Sequence, residues 1–243
     1  MKAMIFAAGK GTRLKSLTEY TPKALIKMNG VPMLEIVILK LKAIGVNEIV
    51  INVHYLAEQI IDFLKKKNNF DIHIEISDEQ KQLLDTGGGL KKASWFFNDK
   101  KPFIVHNVDI ISNIDLLKMY ENHIKNEAMV SVAIRKRISS RYFLFNQQNE
   151  LSGWKNIKTS ESIITKSDKN LNERAFSGIH IIDPEIFNLI NNSTNFSIVN
   201  TYLELSKTRK IIGFDHTNDY WFDIGTIDKL RETEEYFLKY NNC

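Results

Sequence analysis

Short apolar runs alternate with helix-period patterns over roughly the first hundred residues of the chain. Four of these runs predict β-strands, at residues 4–7, 48–53, 72–76 and 103–106. Apolar residues that recur at helical spacing predict helices at 33–44, 56–65 and 90–96. Gly45 is the predicted C-cap of the first helix, and the segment 86–89, a threonine followed by three glycines, opens the third. Alternating strands and helices favour a parallel sheet covered by helices on both faces.

The pattern changes after residue 125. Further strands are predicted at 129–134, 142–146, 175–182 and 210–214, with helices at 184–190 and 198–205. Residues 155–173 are rich in Lys, Ser and Asn and predict a mobile flap over a site. Trp221 and Phe222 lead into a final helix with Thr226 as its N-cap. We therefore expect one three-layer α/β domain spanning 1–243, with a first part at 1–125 and an added mixed-sheet substrate region at 126–243.

Composition narrows the classes of protein that fit. The 243 residues are 43% hydrophobic, which is enough for a substantial core. A net charge of +4, spread along the chain, gives no nucleic-acid-binding arm. No apolar stretch approaches the roughly 20 residues that span a bilayer, and no signal-peptide pattern is present. The single cysteine, Cys243, excludes an internal disulfide, so we expect a cytoplasmic protein with no membrane partner.

A glycine-rich turn after the first strand is the strongest chemical signal. Gly9 and Gly11 allow a tight turn whose N–H groups can approach a phosphate. Arg13 and Lys23 add positive charge, the first as a planar fork and the second as a point charge. The glycine spacing fits neither a Walker A loop nor a dinucleotide-binding fingerprint. For these glycines alone, a strand-to-helix turn with surface basic residues remains an alternative.

Two aspartates follow apolar runs at the ends of predicted strands. Asp109 follows the run at 103–105, and Asp223 follows Trp221 and Phe222. In parallel α/β sheets ligands bind beyond the carboxyl ends of the strands. Two carboxylates there can share Mg²⁺, which proteins hold through one or two carboxylates together with substrate phosphates. Taken singly, each aspartate also fits a turn or an N-cap.

Motifs spread in order over nearly the whole chain carry a family resemblance. They read A-A-G-K-G-T-R-L and T-P-K-A-L near the start, D-T-G-G-G-L at 85–90, N-V-D at 107–109, F-S-G-I at 176–179 and W-F-D-I-G-T at 221–226. Together they resemble the sugar-1-phosphate nucleotidyltransferase family. The acidic residue before T-G-G-G and the compact length are most similar to the short N-acetylmuramate-1-phosphate uridylyltransferase-like enzymes.

The resemblance implies a fold, a reaction and a biological context. The fold is Rossmann-like, with a mostly parallel central mixed sheet. Residues 1–125 would be its nucleotide-binding part, and residues 126–243 its sugar-phosphate-binding part and C-terminal helix. The reaction joins a nucleoside triphosphate to a sugar 1-phosphate and releases pyrophosphate, in nucleotide-sugar biosynthesis for a cell-envelope polysaccharide. Mg²⁺ is the implied cofactor, and a homo-oligomer is a possible assembly.

The resemblance also implies residue roles. Arg13, Lys23, Asp109 and Asp223 would be catalytic, with the two aspartates binding Mg²⁺. The nucleotide would contact residues of the glycine-rich turn and of the segment before the third helix: Ala7, Ala8, Gly9, Gly11, Thr12, Arg13, Gln82, Gly87 and Gly88. Lys23, Asn107 and Gly178 would face the sugar phosphate.

Some positions depart from the family pattern and leave substrate identity open. Val108 stands where many relatives carry glycine, Leu83 stands near the position of a base-reading Gln, and no E-K-P motif occurs at 155–173. UTP with a sugar 1-phosphate is the expected pair. CTP with phosphocholine and GTP with heptose 1-phosphate are alternatives that the base pocket and residues 135–178 would decide. A non-catalytic nucleotide-sugar-binding regulatory protein is a further alternative, which the presence of all four catalytic-type side chains disfavours.

Overall fold

The structure is a computed structural model that describes residues 1–168, 170–190 and 193–240. Cys243, the only cysteine of the sequence, lies outside the described residues. The described strands are β1 (Lys2–Phe6), β2 (Lys27–Met28), β3 (Val31–Pro32), β4 (Glu48–Val53), β5 (His73–Asp78), β6 (Phe103–Asn107), β7 (Ile110–Ser112), β8 (Val130–Arg135), β9 (Arg141–Phe145), β10 (Leu151–Asn156), β11 (Glu161–Ile164), β12 (Asn172–Ile182), β13 (Ile211–Asp215) and β14 (Trp221–Asp223). The described α-helices are α1 (Met33–Ala43), α2 (Ala57–Lys66), α3 (Asp85–Lys92), α4 (Leu116–Lys125), α5 (Ile186–Leu189), α6 (Ile198–Leu205) and α7 (Ile227–Tyr240).

The chain forms a mixed α/β fold with a mostly parallel central sheet, so the predicted fold class is confirmed. It divides into two compact units. The first unit comprises 1–83, 106–113 and the described residues from 220 onward; the second comprises 84–105 and 114–219. The division of a single domain at residue 125 stays a prediction.

The first unit contains a parallel three-stranded arrangement in which β4 lies between β1 and β5. The apolar residues of β4 are buried, and its predicted bounds at 48–53 are correct. In α1, the residues at the predicted helical spacing are buried, and the helix ends before Gly45, whose φ of 87° fits the predicted C-cap. The N–H of Lys229 bonds to the side chain of Thr226, as expected for the N-cap of α7.

The second unit is built on β8, β9, β10, β11, β12 and β13. Here β12 pairs antiparallel with β8 and β9, while β13 pairs parallel with β8. The register of β12 against β8 shifts between Phe176 and His180. Gly178 lies in this irregularity with a φ of 76°, a conformation that favours glycine.

The third predicted helix begins earlier than we expected. The sequence places a glycine run before a helix at 90–96, whereas α3 starts at Asp85 and includes the glycines. A Cβ on Gly88 would lie 2.1 Å from the carbonyl oxygen of Thr194, and a Cβ on Gly87 would lie 2.2 Å from the Phe196 ring. Close packing of the helix against residues 194–196 therefore accounts for glycines at positions where propensity alone disfavours a helix.

The range of the predicted flap, 155–173, includes regular structure. The end of β10 covers 155–156, β11 covers 161–164 and β12 begins at 172, and β10 pairs with β11. A mobile flap over a site stays a prediction. The helix α4 was not predicted, although Asp115 caps it by accepting the N–H of Lys118 at 2.9 Å. In the described part of the chain, no helix combines the length and hydrophobicity required to cross a bilayer.

Candidate active site

The glycine-rich turn begins where β1 ends. Ala7 and Ala8 are buried, whereas Gly9 is exposed and has open space where a Cβ would lie. Gly11 has a φ of 68°, and a Cβ there would lie 2.9 Å from Thr18 and 3.0 Å from Lys23. The carbonyl oxygen of Gly11 accepts hydrogen bonds from the Leu14 N–H and the Thr18 hydroxyl. These two hydrogen bonds fix the turn at Gly11, whereas Gly9 is exposed to solvent.

Lys23 follows Pro22 and begins a single 3₁₀ turn, Lys23–Leu25. Only 10% of its side chain is exposed. Its Nζ forms an ion pair with Oδ2 of Asp109, whose side chain is 17% exposed. Two of the predicted catalytic side chains are thus in direct contact although 86 residues separate them.

Asp223 lies on the strand next to the segment that carries Asp109. It is the register partner of Ile110, and the N–H of Ile224 donates to the Asp109 carbonyl oxygen at 2.9 Å. Gly225 follows, and a Cβ there would lie 2.9 Å from Nη2 of Arg13 and 3.1 Å from Oδ1 of Asp223. The missing side chain at Gly225 therefore leaves room for the guanidinium group beside the carboxylate.

The candidate donors for a metal are the carboxylates of Asp109 and Asp223, which belong to neighbouring backbone segments. This number and type of ligand fit Mg²⁺, which keeps further positions for water and phosphate oxygens. Among residues 1–168, 170–190 and 193–240, no group of three or more His, Cys, Asp or Glu side chains forms a metal cluster. The two carboxylates fit a metal ion whose remaining ligands come from substrate and water better than a structural metal bound entirely by protein side chains.

The other predicted site residues are distributed over both units. In the first unit, Thr12 and Gln82 are exposed and Asn107 is half-buried. Val108 is buried, and its N–H donates to the Phe6 carbonyl oxygen at 3.1 Å. In the second unit are the predicted contact residues Gly87, Gly88 and Gly178, all of them buried. The ligand contacts of these residues stay predictions.

Buried histidines have structural partners. His216 Nε2 lies 2.7 Å from the Ser177 hydroxyl, and His180 Nδ1 lies 2.6 Å from the Tyr202 hydroxyl. Ser177 is fully buried. Burial lowers the pKa of His106 to about 3, with a further contribution from the charge of Lys40.

The profile of the nucleotidyl transferase family matches residues 2–239. The chain belongs to this family. A curated family relative, the N-acetylmuramate alpha-1-phosphate uridylyltransferase of Neisseria meningitidis serogroup B, is 30% identical over 235 residues, which cover 96% of this chain and 97% of that protein. The mannose-1-phosphate guanyltransferase of Yarrowia lipolytica is 31% identical over 228 residues, and the match spans 61% of that protein's length.

Solved structures agree with the family fold. HddC from Yersinia pseudotuberculosis, complexed with GMP-PN, has a TM-score of 0.76 at 23% identity. The match covers 97% of this chain and 99% of HddC. A UDP-glucose pyrophosphorylase complexed with UDP-glucose has a TM-score of 0.77 at 17% identity, with 98% of both chains covered. The protein is a sugar-1-phosphate nucleotidyltransferase by family.

Two residues beside the glycine-rich turn, Asn52 and Glu79, are not among the site residues expected from the sequence. Asn52 Oδ1 accepts the Ala7 N–H at 2.7 Å, and Asn52 Nδ2 donates to Glu79 at 2.8 Å. One signal was available in the sequence, because Asn52 is a polar residue near the end of an otherwise apolar run. Gly225, which lies beside Arg13, is a further residue not expected at the site, although it belongs to the motif at 221–226.

Proposed function

We propose that this enzyme transfers the uridylyl group of UTP to a sugar 1-phosphate, with N-acetylmuramate 1-phosphate as the first acceptor to test. The observation that carries the chemistry is the contact of Lys23 with Asp109, on the segment beside the strand that contains Asp223. The substrate pair is supported by the match to the N. meningitidis uridylyltransferase, which covers both chains almost completely.

In the proposed reaction, a phosphate oxygen of the sugar 1-phosphate attacks the α-phosphorus of UTP. A new phosphorus–oxygen bond forms there, and the bond to the oxygen bridging the α- and β-phosphates breaks, so pyrophosphate leaves with the bonding electron pair. Negative charge builds on the non-bridging and leaving oxygens, and preorganised cations are the main way to stabilise it.

Each charged side chain then has a role that fits its place in the first unit. Lys23 would contact the α-phosphate and the incoming phosphate, because its Nζ is fixed beside Asp109. Arg13 would bind the β- and γ-phosphates from its position beside Gly225. Asp109 and Asp223 would hold Mg²⁺, which when bound supplies Lewis-acid stabilisation of the phosphate oxygens.

The remaining roles follow the glycine-rich turn and the second unit. Backbone N–H groups of Ala8, Gly9 and Gly11 would line the nucleotide site, because a turn with small side chains admits phosphate closely. Ala7, Thr12, Gln82, Gly87 and Gly88 would complete the nucleotide contacts, and Asn107 and Gly178 would face the sugar.

Pyrophosphate release tests the proposal directly. The purified enzyme with Mg²⁺ is assayed with each ribonucleoside triphosphate and dTTP against N-acetylmuramate 1-phosphate, glucose 1-phosphate, mannose 1-phosphate, heptose 1-phosphate and phosphocholine. We expect the highest kcat/KM with UTP and N-acetylmuramate 1-phosphate. Preference for GTP with mannose or heptose 1-phosphate, or for CTP with phosphocholine, would replace the proposed substrates. Nucleotide binding without release from any acceptor would favour a regulatory protein.

The chain is also similar to a mannose-1-phosphate guanyltransferase, so GTP must be among the nucleotides that the assay compares. The Y. lipolytica relative is as similar in identity as the uridylyltransferase, but this chain spans much less of its length. A complete exclusion of GTP by the enzyme would therefore support the proposed base preference strongly.

A further inference from the structure

We propose that Asn52 and Glu79 are positioning residues that hold the start of the glycine-rich turn ready for the nucleotide. The inference rests on the proposed function, because it acts through the nucleotide contacts of Ala7, Ala8 and the glycines that follow. Neither residue is among the predicted ligand contacts.

The position of Asn52 in the sheet makes this role possible. It lies near the carboxyl end of β4, the strand between β1 and β5, and its register partners are Phe6 and Ser77. Its side chain is almost fully buried, with 3% of the residue exposed. A buried amide in the central strand must find hydrogen-bond partners within the protein.

One partner is the backbone of the turn itself. β1 ends at Phe6, so Ala7 is the first residue beyond the strand. The Ala7 N–H donates to Asn52 Oδ1 at 2.7 Å, and Ala7 is 5% exposed. The side chain of Asn52 thus continues the bonding of β1 for one more residue and fixes the direction in which the turn leaves the strand.

The other partner determines how the amide of Asn52 is oriented. Nδ2 donates to Oε1 of Glu79 at 2.8 Å, and Glu79 is 1% exposed. Oε1 of Glu79 accepts from Nδ2 and the Ala7 N–H can only donate, so the two partners together select the orientation with Nδ2 toward Glu79 and Oδ1 toward Ala7. The opposite orientation would place the amide NH₂ against the Ala7 N–H, with two donors facing each other.

Glu79 is in turn fixed to the sheet by its own backbone. Its N–H donates to the Val53 carbonyl oxygen at 2.8 Å, and its carbonyl oxygen lies 2.7 Å from His54 Nδ1. The hydrogen bonds from Asn52 to Glu79 and to Ala7 therefore connect the loop after β5, the end of β4 and the turn after β1. A turn ordered before ligand arrives loses less conformational freedom on binding, which increases affinity.

The test compares UTP binding, kinetics and thermal stability in matched variants. Asn52→Leu keeps a similar volume and removes both hydrogen bonds. Asn52→Asp places two carboxylates together, whereas the double variant Asn52→Asp with Glu79→Gln exchanges donor and acceptor while conserving the net charge. Ser77→Ala is the control, because Ser77 is buried beside Asn52 on β5 and its hydroxyl has no hydrogen-bond partner among the described residues.

We expect Asn52→Leu to weaken UTP binding at least tenfold by calorimetry and to raise the KM for UTP similarly, with the KM for the sugar phosphate within twofold of wild type. Asn52→Asp should also weaken binding, and the double variant should recover most of the loss. Ser77→Ala should bind UTP like wild type.

Wild-type UTP affinity in Asn52→Leu with only a lower Tm would overturn the positioning role, since Asn52 would then stabilise the fold alone. Equal losses in Asn52→Asp and the double variant would likewise contradict the assigned amide orientation. If the wild-type enzyme itself bound no nucleoside triphosphate, the proposed function would fail, a result distinct from either of these.

Discussion

Lys23 and Asp109 have complementary charges and little exposed surface, so each depends on the other in the free enzyme. Removing one partner of such a pair leaves the remaining charge poorly solvated. Under the proposed function, Lys23 would contact the phosphates and Asp109 would be a ligand of the metal.

Replacing Lys23 with Met should lower kcat/KM by roughly 10² to 10³, because one preorganised cation is removed from the developing charge. Steady-state kinetics with saturating Mg²⁺ measure this loss. Lys27→Met is the control, since Lys27 is an exposed lysine only four residues away. Turnover of Lys23→Met within threefold of wild type would remove Lys23 from catalysis.

Replacing Asp109 with Asn should raise the Mg²⁺ concentration for half-maximal activity, because a neutral amide is a weaker ligand for this hard cation. A titration of activity with Mg²⁺ gives the value for each enzyme. Asp62→Asn, an exposed position on α2, should titrate like wild type. An unchanged Mg²⁺ requirement in Asp109→Asn would argue against Asp109 as a ligand.

Lys23, Asp109 and Asp223 could be found from the sequence. Lys23 follows a proline, and each aspartate follows a short apolar run. Asn52 and Glu79 could not be assigned in this way. Their contacts join residues 27 and 45 positions apart, and those contacts depend on the register of three strands. Strand register follows from packing of the whole sheet, which local patterns do not specify.

At the scale of the elements, α3 shows how packing overrides propensity. Glycine is unfavourable inside a helix by about 1 kcal/mol relative to alanine, so the sequence favoured a helix that begins after the glycines. The close approach of residues 194–196 requires those glycines within the helix. The strands β10 and β11 were not predicted either. All four residues of β11 are exposed, so its sequence shows no alternation of buried apolar and exposed polar residues.

Gly88→Ala should lower the free energy of unfolding by about 1–3 kcal/mol, since the new methyl group would overlap the Thr194 carbonyl oxygen. Urea denaturation followed by circular dichroism measures the change. Gly9→Ala is the control for stability, because space is open around that position. A Gly88→Ala protein as stable as wild type would show that the 194–196 segment moves away at little cost.

At the scale of the whole molecule, the order of strands and helices was largely predictable, because buried strands and amphipathic helices have different apolar periods. The family fold follows from that order and from the motifs. The boundaries of the two compact units were not predictable, since each unit is assembled from separated segments of the chain.

Buried histidines make stability depend on pH. Burial lowers the pKa of His106 to about 3 and that of His123 to about 4, against an ordinary value of 6.5. Both are therefore neutral in the folded protein at pH values where the unfolded chain binds protons. The free energy of unfolding should fall as the pH drops below 6.5, with these two groups contributing at most about 2.7 kcal/mol per pH unit.

Urea unfolding between pH 7 and pH 5 measures this slope. His106→Leu should reduce it by about one proton. The same slope in His106→Leu and wild type would contradict the assignment of His106 as a buried neutral group.

Isotope transfer tests the central claim that the enzyme joins a nucleotidyl group to a sugar phosphate. N-acetylmuramate 1-phosphate with ¹⁸O in its phosphate is incubated with UTP, Mg²⁺ and enzyme, and the products are identified by mass spectrometry and ³¹P NMR. The account predicts a UDP-linked sugar that retains all the label in its sugar-side phosphate, together with unlabelled pyrophosphate. Labelled pyrophosphate, or hydrolysis of UTP with no sugar-linked product from any sugar 1-phosphate, would contradict it.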